Sequence, residues 1–302
     1  MSSDRPEQNR LIGIGLRVTA IGCFALMAAM IKLGHAAGAS TVELVFYRSA
    51  FGLLPVLLWI AATHNFGAWR TERPLAHGWR AAIGLSAMSL GFAALNYLPL
   101  AEATTISFAL PLFAVVLSAL FLKEKVGRHR WTAVAAGFVG VMIVMRPEGS
   151  QLPPAGLLLA LLSALAAAAA AVSIRQMGRT ESTQTIVLWF GLLGTLLIGL
   201  LMPFHAQSHD GRTWLIVFAL GCLGGAGQIF LTASLRYAPV SVVVPFDYLQ
   251  LLWAVLLGWL IFASQPPATT WAGAAVIIAS GLYTIYREHR LGRERPRETP
   301  PL

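Results

Sequence analysis

Charged residues are scarce in this chain. Only 12% of its 302 residues are Asp, Glu, Lys or Arg, while 57% are hydrophobic and the mean hydropathy is +0.68. A water-soluble domain needs about a quarter of its residues charged, so an all-round aqueous surface is excluded and an integral membrane protein is expected. Acidic residues are fewer still, 13 against 22 Lys and Arg. The positive excess forms no compact basic region with interleaved aromatics, which argues against a nucleic-acid partner. It sits between apolar runs, as topology signals do. Cysteine is nearly absent, and Cys23 and Cys222 lie inside apolar runs without metal-ligand spacing. Structural thiols are expected, with no disulfide framework and no metal site. There is also no GxxxxGK[ST] loop, HExxH, GxSxG or CxxC pair, so no catalytic or cofactor-binding signature is present and none is implied.

Long apolar runs are what the chain does have. A helix crossing the hydrocarbon core takes about 20 residues, and such windows fall near 11–33, 42–62, 79–97, 100–122, 130–146, 155–175, 185–203, 213–235, 239–262 and 269–286. The expected fold class is all-α integral membrane, with ten transmembrane helices. Residues 1–10 read as a polar cytoplasmic tail. The first run is longer than a signal-peptide core and lacks a small-residue cleavage site, so it is expected to stay as a helix. Residues 288–302, charged and Pro-rich, read as a disordered cytoplasmic tail. With the N-terminus inside, seventeen Lys and Arg fall in inside segments and two, Arg146 and Arg212, in outside loops. That bias places both termini in the cytoplasm. The run LSALAAAAAAV and the GxxxG of Gly221 and Gly225 predict close helix packing.

The two halves of the chain match in order. At an offset of 140, Tyr97 and Pro99 fall on Tyr237 and Pro239, Ala114 and Val115 on Ala254 and Val255, and Trp131 on Trp271. At an offset of 142, Ser40 and Thr41 fall on Ser182 and Thr183, Val45 on Val187, and Gly52 on Gly194. Two five-helix repeats, 11–146 and 155–287, follow. An odd helix count inverts the second copy, the sequence mark of alternating-access transporters.

The stretch VVVPFDYLQLLWAVLLGWL, residues 242–260, carries Pro245, Asp247 and Gln250 where lipid-facing residues would be apolar. Pro111 and Pro245 lie in corresponding helices, and neither donates to the carbonyl four residues earlier, on Ser107 and Ser241. Interrupted helices in corresponding positions point to a binding site; a packing kink is the plainer alternative. Asp247 is expected to face the protein interior, either on a ligand's cationic group or in a structural ion pair with Arg48 or Lys32. Tyr248, Gln250 and Trp253 are candidate ligand contacts. In VELVFYRSAFG, Arg48 is the strongest cavity candidate, because it keeps its charge and needs an anionic partner. Glu43 and Tyr47 share a face at i,i+4, and Tyr47 joins the candidates. Lys32 is expected to snorkel to the outer interface, and Glu102 to lie at the outer rim. Asn96, Gln228 and Arg236 are placed along a polar pathway. His205, His209 and Asp210 have spacing that suits a metal, but an outer loop predicts solvated residues.

YLPLAEATTISFALPLFAVVLSALFLKEKVGRHRW and YAPVSVVVPFDYLQLLWAVLLGWLIF close the two halves. With ten spans in two repeats, they resemble the EamA branch of the drug/metabolite transporter superfamily, from Leu11 to about Arg287. Lys123 and Glu124 after the fourth span and Trp131 carry the likeness; the second half departs from it, with ASQPP and Gln265 where KEK stands in the first. PFDY together with Lys32, Glu43 and Arg48 is most similar to the subset of S-adenosylmethionine-type and riboflavin-type carriers. The resemblance implies a secondary transporter of a small polar organic metabolite in the bacterial inner membrane, working by alternating access. Its partners would be that substrate and the lipid bilayer; a homodimer is left open. The competing readings are a membrane-embedded enzyme and a ligand sensor without flux.

Overall fold

The structure, a computed structural model, describes residues 10–121, 127–145, 152–177, 180–238 and 240–294. Regular structure among them is helical throughout. The first half holds α1 (Arg10–Ala36), α2 (Thr41–Ala62), a 3-10 turn (Phe66–Trp69), α3 (Pro74–Tyr97), α4 (Leu100–Ser107), α5 (Leu110–Phe121) and α6 (Arg128–Met145). The second holds α7 (Pro154–Met177), α8 (Thr183–Gly199), a short α9 (Met202–His205), α10 (Gly211–Tyr237) and α11 (Val240–Val243). A 3-10 turn (Val244–Tyr248), α12 (Leu249–Phe262) and α13 (Ala268–Glu294) complete it.

Among the described residues five segments are long and apolar enough to cross a membrane: Leu11–Ala36, Thr41–Ala62, Leu100–Leu117, Pro154–Ile174 and Gly211–Ser234. Shorter apolar helical stretches occupy Trp131–Met145, Thr183–Gly199 and Phe246–Phe262. The chain is a multi-pass membrane protein. Helix is found in every apolar window of the sequence, but three boundaries differ. α3 begins at Pro74, not 79, because proline suits a first helical turn whose N–H groups have no partner. α8 ends at Gly199, short of the expected 203. Residues 288–294, expected to be disordered, continue α13: Glu, Arg and Leu there favour helix despite Gly292, and no proline intervenes before Pro296.

Local chemistry sets the helix starts. Ser40 accepts from the Glu43 amide at 3.2 Å while Glu43 accepts from the Ser40 amide at 2.8 Å, a reciprocal cap on α2. Ser182, which matches Ser40 in the repeat alignment, accepts from the Thr185 amide at 3.1 Å and caps α8. Asp210 caps α10 through the Thr213 amide at 2.9 Å.

The helices that carry Pro111 and Pro245 are both interrupted, whereas α2 runs unbroken through Pro55. α4 stops at Ser107 and α5 restarts at Leu110, with tight-turn bonds from Phe108 N to Thr105 O (3.2 Å) and from Ala109 N to Ile106 O (2.9 Å) across the gap. α11 gives way to the 3-10 turn at Val244. Pro111 and Pro245 each occupy the second position of the element that follows the interruption, where a missing N–H removes no helical bond.

The packing runs between halves. α1 lies along α10, α3 along α7, α6 along α13, and α2 against both α8 and α10. α1 also meets α12, as α7 meets α4 and α5. The α2–α10 contact depends on missing side chains: a Cβ on Gly221 would stand 2.8 Å from Tyr47 O, and one on Gly225 would collide with Gly52 O. This is the close packing expected of the GxxxG.

Candidate substrate cavity

A cavity of about 500 Å³ opens between α1, α3, α4, α7 and α8. The Ala-rich run of α7 was expected only to pack closely; in fact Ala167, Ala170 and Ala171 form part of the wall. Small side chains there keep the volume open. A second cavity of about 230 Å³ lies between α2, α8 and α10, and Arg48, Arg80, Ile174, Phe190 and Gln228 border both.

Two guanidiniums define this shared layer. Arg80 Cζ lies 4.3 Å from the Phe190 ring centroid and Arg48 Cζ 5.8 Å from it, both within cation–π reach. Arg48 Nε, Arg80 Nε and Arg80 Nη1 are buried without a hydrogen-bond partner. Among the described residues no carboxylate lines either cavity. Arginine stays charged in any protein setting, so two like charges face each other with no internal counter-charge. Glycine makes room for them: a Cβ on Gly84 would overlap Arg80 Nη1 and lie 2.8 Å from Phe190 Cε2, and one on Gly224 would lie 3.1 Å from Arg48 Nε. Thr104 and Ser107 of the interrupted helix, with Ser163, Gln228 and Gln250, complete the polar lining.

Of the residues singled out from the sequence, Arg48, Gln228 and Gln250 line the cavity. Asp247 faces elsewhere. It forms a two-pronged ion pair with Arg17 of α1, Nε to Oδ1 at 2.6 Å and Nη2 to Oδ2 at 2.5 Å, and not with Arg48 or Lys32. Residues three apart sit on neighbouring helix faces, which lets Gln250 reach the cavity while Asp247 reaches α1. Tyr248 packs edge-on against Phe108 at 5.2 Å, and Trp253 lies against a buried cluster of α1 and α12. Tyr47 is a core residue stacked on Phe51 at 5.7 Å, and Asn96 is exposed. None of these four lines the two cavities. The side chain of Arg236 lies outside the described residues.

Three peripheral expectations change. Lys32 does not snorkel; its Nζ donates to Leu95 O at 3.2 Å and Leu98 O at 3.0 Å, a short reach across to the end of α3. Glu102 is 2% exposed and not at a rim. His209 is buried, its Nε2 2.7 Å from Glu43 Oε1, which also accepts from the Gln207 amide at 2.9 Å. His205 is exposed as expected, and the described residues contain no cluster of His, Cys, Asp or Glu suited to a metal.

Sequence reasoning missed Arg80, Phe190 and Arg17. Arg80 was counted among the loop charges because the apolar window opens at 79. Pro74 was the available signal, since a helix that starts there carries Arg80 almost two turns inside.

Helices that cross a membrane, two of them interrupted, and a charged cavity among them define a polytopic membrane transporter fold. The chain belongs to the EamA-like transporter family, whose family model matches twice, over residues 11–146 and 154–286. It is thus a transporter and not an enzyme, of the EamA type within the drug/metabolite transporter superfamily. It is 36% identical over 235 residues to a riboflavin transporter of Rhizobium johnstonii, covering 76% of each chain. It is 30% identical to the pseudopaline exporter of Pseudomonas aeruginosa, over 89% of this chain and 94% of that protein. An S-adenosylmethionine uptake transporter of Rickettsia felis is 27% identical over 82% of this chain and 84% of that one. A crystal structure 23% identical in sequence superposes with a TM-score of 0.64, covering 92% of this chain and 98% of that one, which bears on the fold alone.

Proposed function

We propose that this protein is a secondary carrier of a small organic metabolite bearing an anionic group, which Arg48 and Arg80 bind on either cavity's border. The observation that carries this reading is the pair of buried guanidiniums without a carboxylate in either cavity. Burying an unpaired charge is costly, and a substrate anion is the counter-charge the site lacks. Phe190 adds an aromatic surface, and Gln228, Gln250, Thr104 and Ser107 offer hydrogen bonds for orientation. The relatives named for riboflavin, S-adenosylmethionine and pseudopaline handling support a metabolite of comparable class. Asp247, with both oxygens on Arg17, is left to hold α1 against the 3-10 turn and not to bind substrate.

Alternating access around this cavity, by ten spans in two inverted five-helix repeats, is part of the proposal. The double family match, the matching caps at Ser40 and Ser182, and the paired interruptions at Pro111 and Pro245 support it. The exchanged contacts support it too: α1 on α10 answers α7 on α3, and α1 on α12 answers α7 on α4 and α5. The loop charges favour a bacterial inner membrane with both termini in the cytoplasm.

The test is an untargeted comparison of metabolites in cells and medium with wild type, Arg48→Met and Arg80→Met. A hydrogen bond to a charged group contributes about 1.5–3 kcal/mol, so each variant should weaken apparent affinity roughly 10–150-fold at normal membrane levels. A redistributed compound with no anionic group, or one carried equally well by both variants, would overturn the anion assignment. No redistribution at all would favour the sensor.

A further inference from the structure

At the same end of the bundle as the α2 start, the ends of α1, α3 and α12 meet the starts of α4 and α13. Glu102, in the first turn of α4, is buried there. Its Oε1 accepts from Thr270 Oγ1 of α13 at 3.1 Å, and its Oε2 is buried with no hydrogen-bond partner. The Lys32 ammonium acts on Glu102 electrostatically but is not within ion-pair distance. It is held by Leu95 O and Leu98 O, with the Phe262 ring centroid 5.7 Å away.

We propose that Glu102 is a proton-binding site: ionised, it holds α4 to α13 and to the Lys32 end of α1, and protonated, it lets this end of the bundle part. A carboxylate with one bare buried oxygen is an unfavourable arrangement, whereas the Lys32 charge resists its neutralisation. Protonation removes the bare buried charge and, with it, the attraction that draws the ionised group to the Lys32 end of α1. The Glu102–Thr270 bond runs between the two family-matched segments, and the next residues along α4, Ala103 and Thr104, line the cavity. Protonation at Glu102 thus reaches the binding site within one residue.

No other charge competes at this point among the described residues. His77 and Arg80 lie toward the opposite end of α3, Arg128 and His129 open α6 at its far end, Arg287 lies near the far end of α13, and α12 carries none. The charged residue of α7, Arg175, is three residues from its far end. On α1, His35 is committed to Phe92 O at 3.0 Å. Asp247 is held by Arg17 and offers no comparable bare oxygen.

The experiment uses full-length protein in proteoliposomes, with Cys23→Ala, Cys222→Ala, and spin labels on Ala37→Cys and Gln265→Cys. Distances between the labels are measured by pulsed electron paramagnetic resonance from roughly pH 4 to 9. A longer-distance population should grow on acidification with a one-proton titration. Glu102→Gln should show the acid distribution at every pH, Glu102→Asp should keep a titration, and Thr270→Val should raise the long-distance fraction at high pH. A wild-type distribution that ignores pH, or a Glu102→Gln protein that titrates like wild type, overturns the proposal. No substrate is needed, so failure here leaves the anion-binding reading standing.

Discussion

Asp247→Asn is expected to lower stability and to leave substrate affinity nearly unchanged. Both carboxylate oxygens are held by Arg17, whose side chain is 8% exposed against 35% for Asp247. Removing one partner of a fully buried pair costs about 3–5 kcal/mol, because the orphaned charge stays behind. Solvent reaches a third of Asp247, and screening reduces the figure to about 1–3 kcal/mol. At roughly 2 °C per kcal/mol for a chain of this size, the apparent melting temperature in detergent should fall by several degrees. Arg17→Gln should do the same. The double variant should lose clearly less than the sum, since neither charge is then left unpaired, giving a coupling energy of about 1–2 kcal/mol. The assay is thermal unfolding of the four proteins of this cycle, with binding of the transported anion measured in parallel. Additive losses would refute the ion pair as a stabilising contact. A loss of binding in Asp247→Asn as large as that of Arg48→Met would restore Asp247 to the substrate site.

Two further outcomes follow from local geometry. Gly84→Ala puts a methyl group into Arg80 and Phe190 and should weaken anion affinity roughly tenfold, in keeping with an overpacking cost of about 1–3 kcal/mol. Gly78→Ala, where a Cβ meets nothing within 4 Å, should be silent in the same binding titration. Acidification should lower the apparent melting temperature. Burial holds the His77 imidazole, ahead of the apolar stretch of α3, below its usual range despite nearby Glu181. Burial raises Glu181, but the Thr71 hydroxyl, the His77 charge and backbone amides outweigh it and hold Glu181 below the carboxylate range. Both groups bind fewer protons folded than unfolded, so their stabilisation is present above their unfolded values and is lost from about pH 6.5 downward for His77 and about pH 4.3 downward for Glu181. Differential scanning fluorimetry across pH checks this, and His77→Gln should flatten the first part of the loss.

The helices were legible because apolar length is a direct consequence of the bilayer, and the interruptions because prolines recur at corresponding places in the two halves, whereas Pro55 inside the unbroken α2 shows that a proline alone does not mark one. The site was half legible. Arg48 stood out as a guanidinium deep in an apolar run, whereas Arg80 lay at the edge of one and looked like any loop cation. Asp247 stood out for the same reason as Arg48, but composition says only that a buried carboxylate needs a partner. It does not say whether the partner is protein or ligand, since Arg17 lies 230 positions away in sequence. His209 shows the same limit from the other side: a polar loop residue reads as solvated until the fold brings it onto Glu43. The Ala run carried no signal for a cavity because small residues serve close approach and open volume equally well.

Arg17, Arg48 and Arg80 all lie within the bundle, and among the described residues only Arg17 of the three has an internal carboxylate. Cation–π contacts contribute about 0.5–2 kcal/mol each, less than the several kcal/mol per ion that burial costs, so Phe190 alone does not balance the two others. In the proposed alternating-access cycle a closed cavity would leave the two charges needing an anion, so closure without ligand would be disfavoured and closure with it would not. A carrier whose binding arginines were neutralised by its own carboxylates would lose this dependence, because both access states would then be equally comfortable empty. Differential affinity for the closed state is what would let a ligand move a conformational equilibrium in the proposed carrier, and there it would arise from the counter-charge that the cavity leaves out.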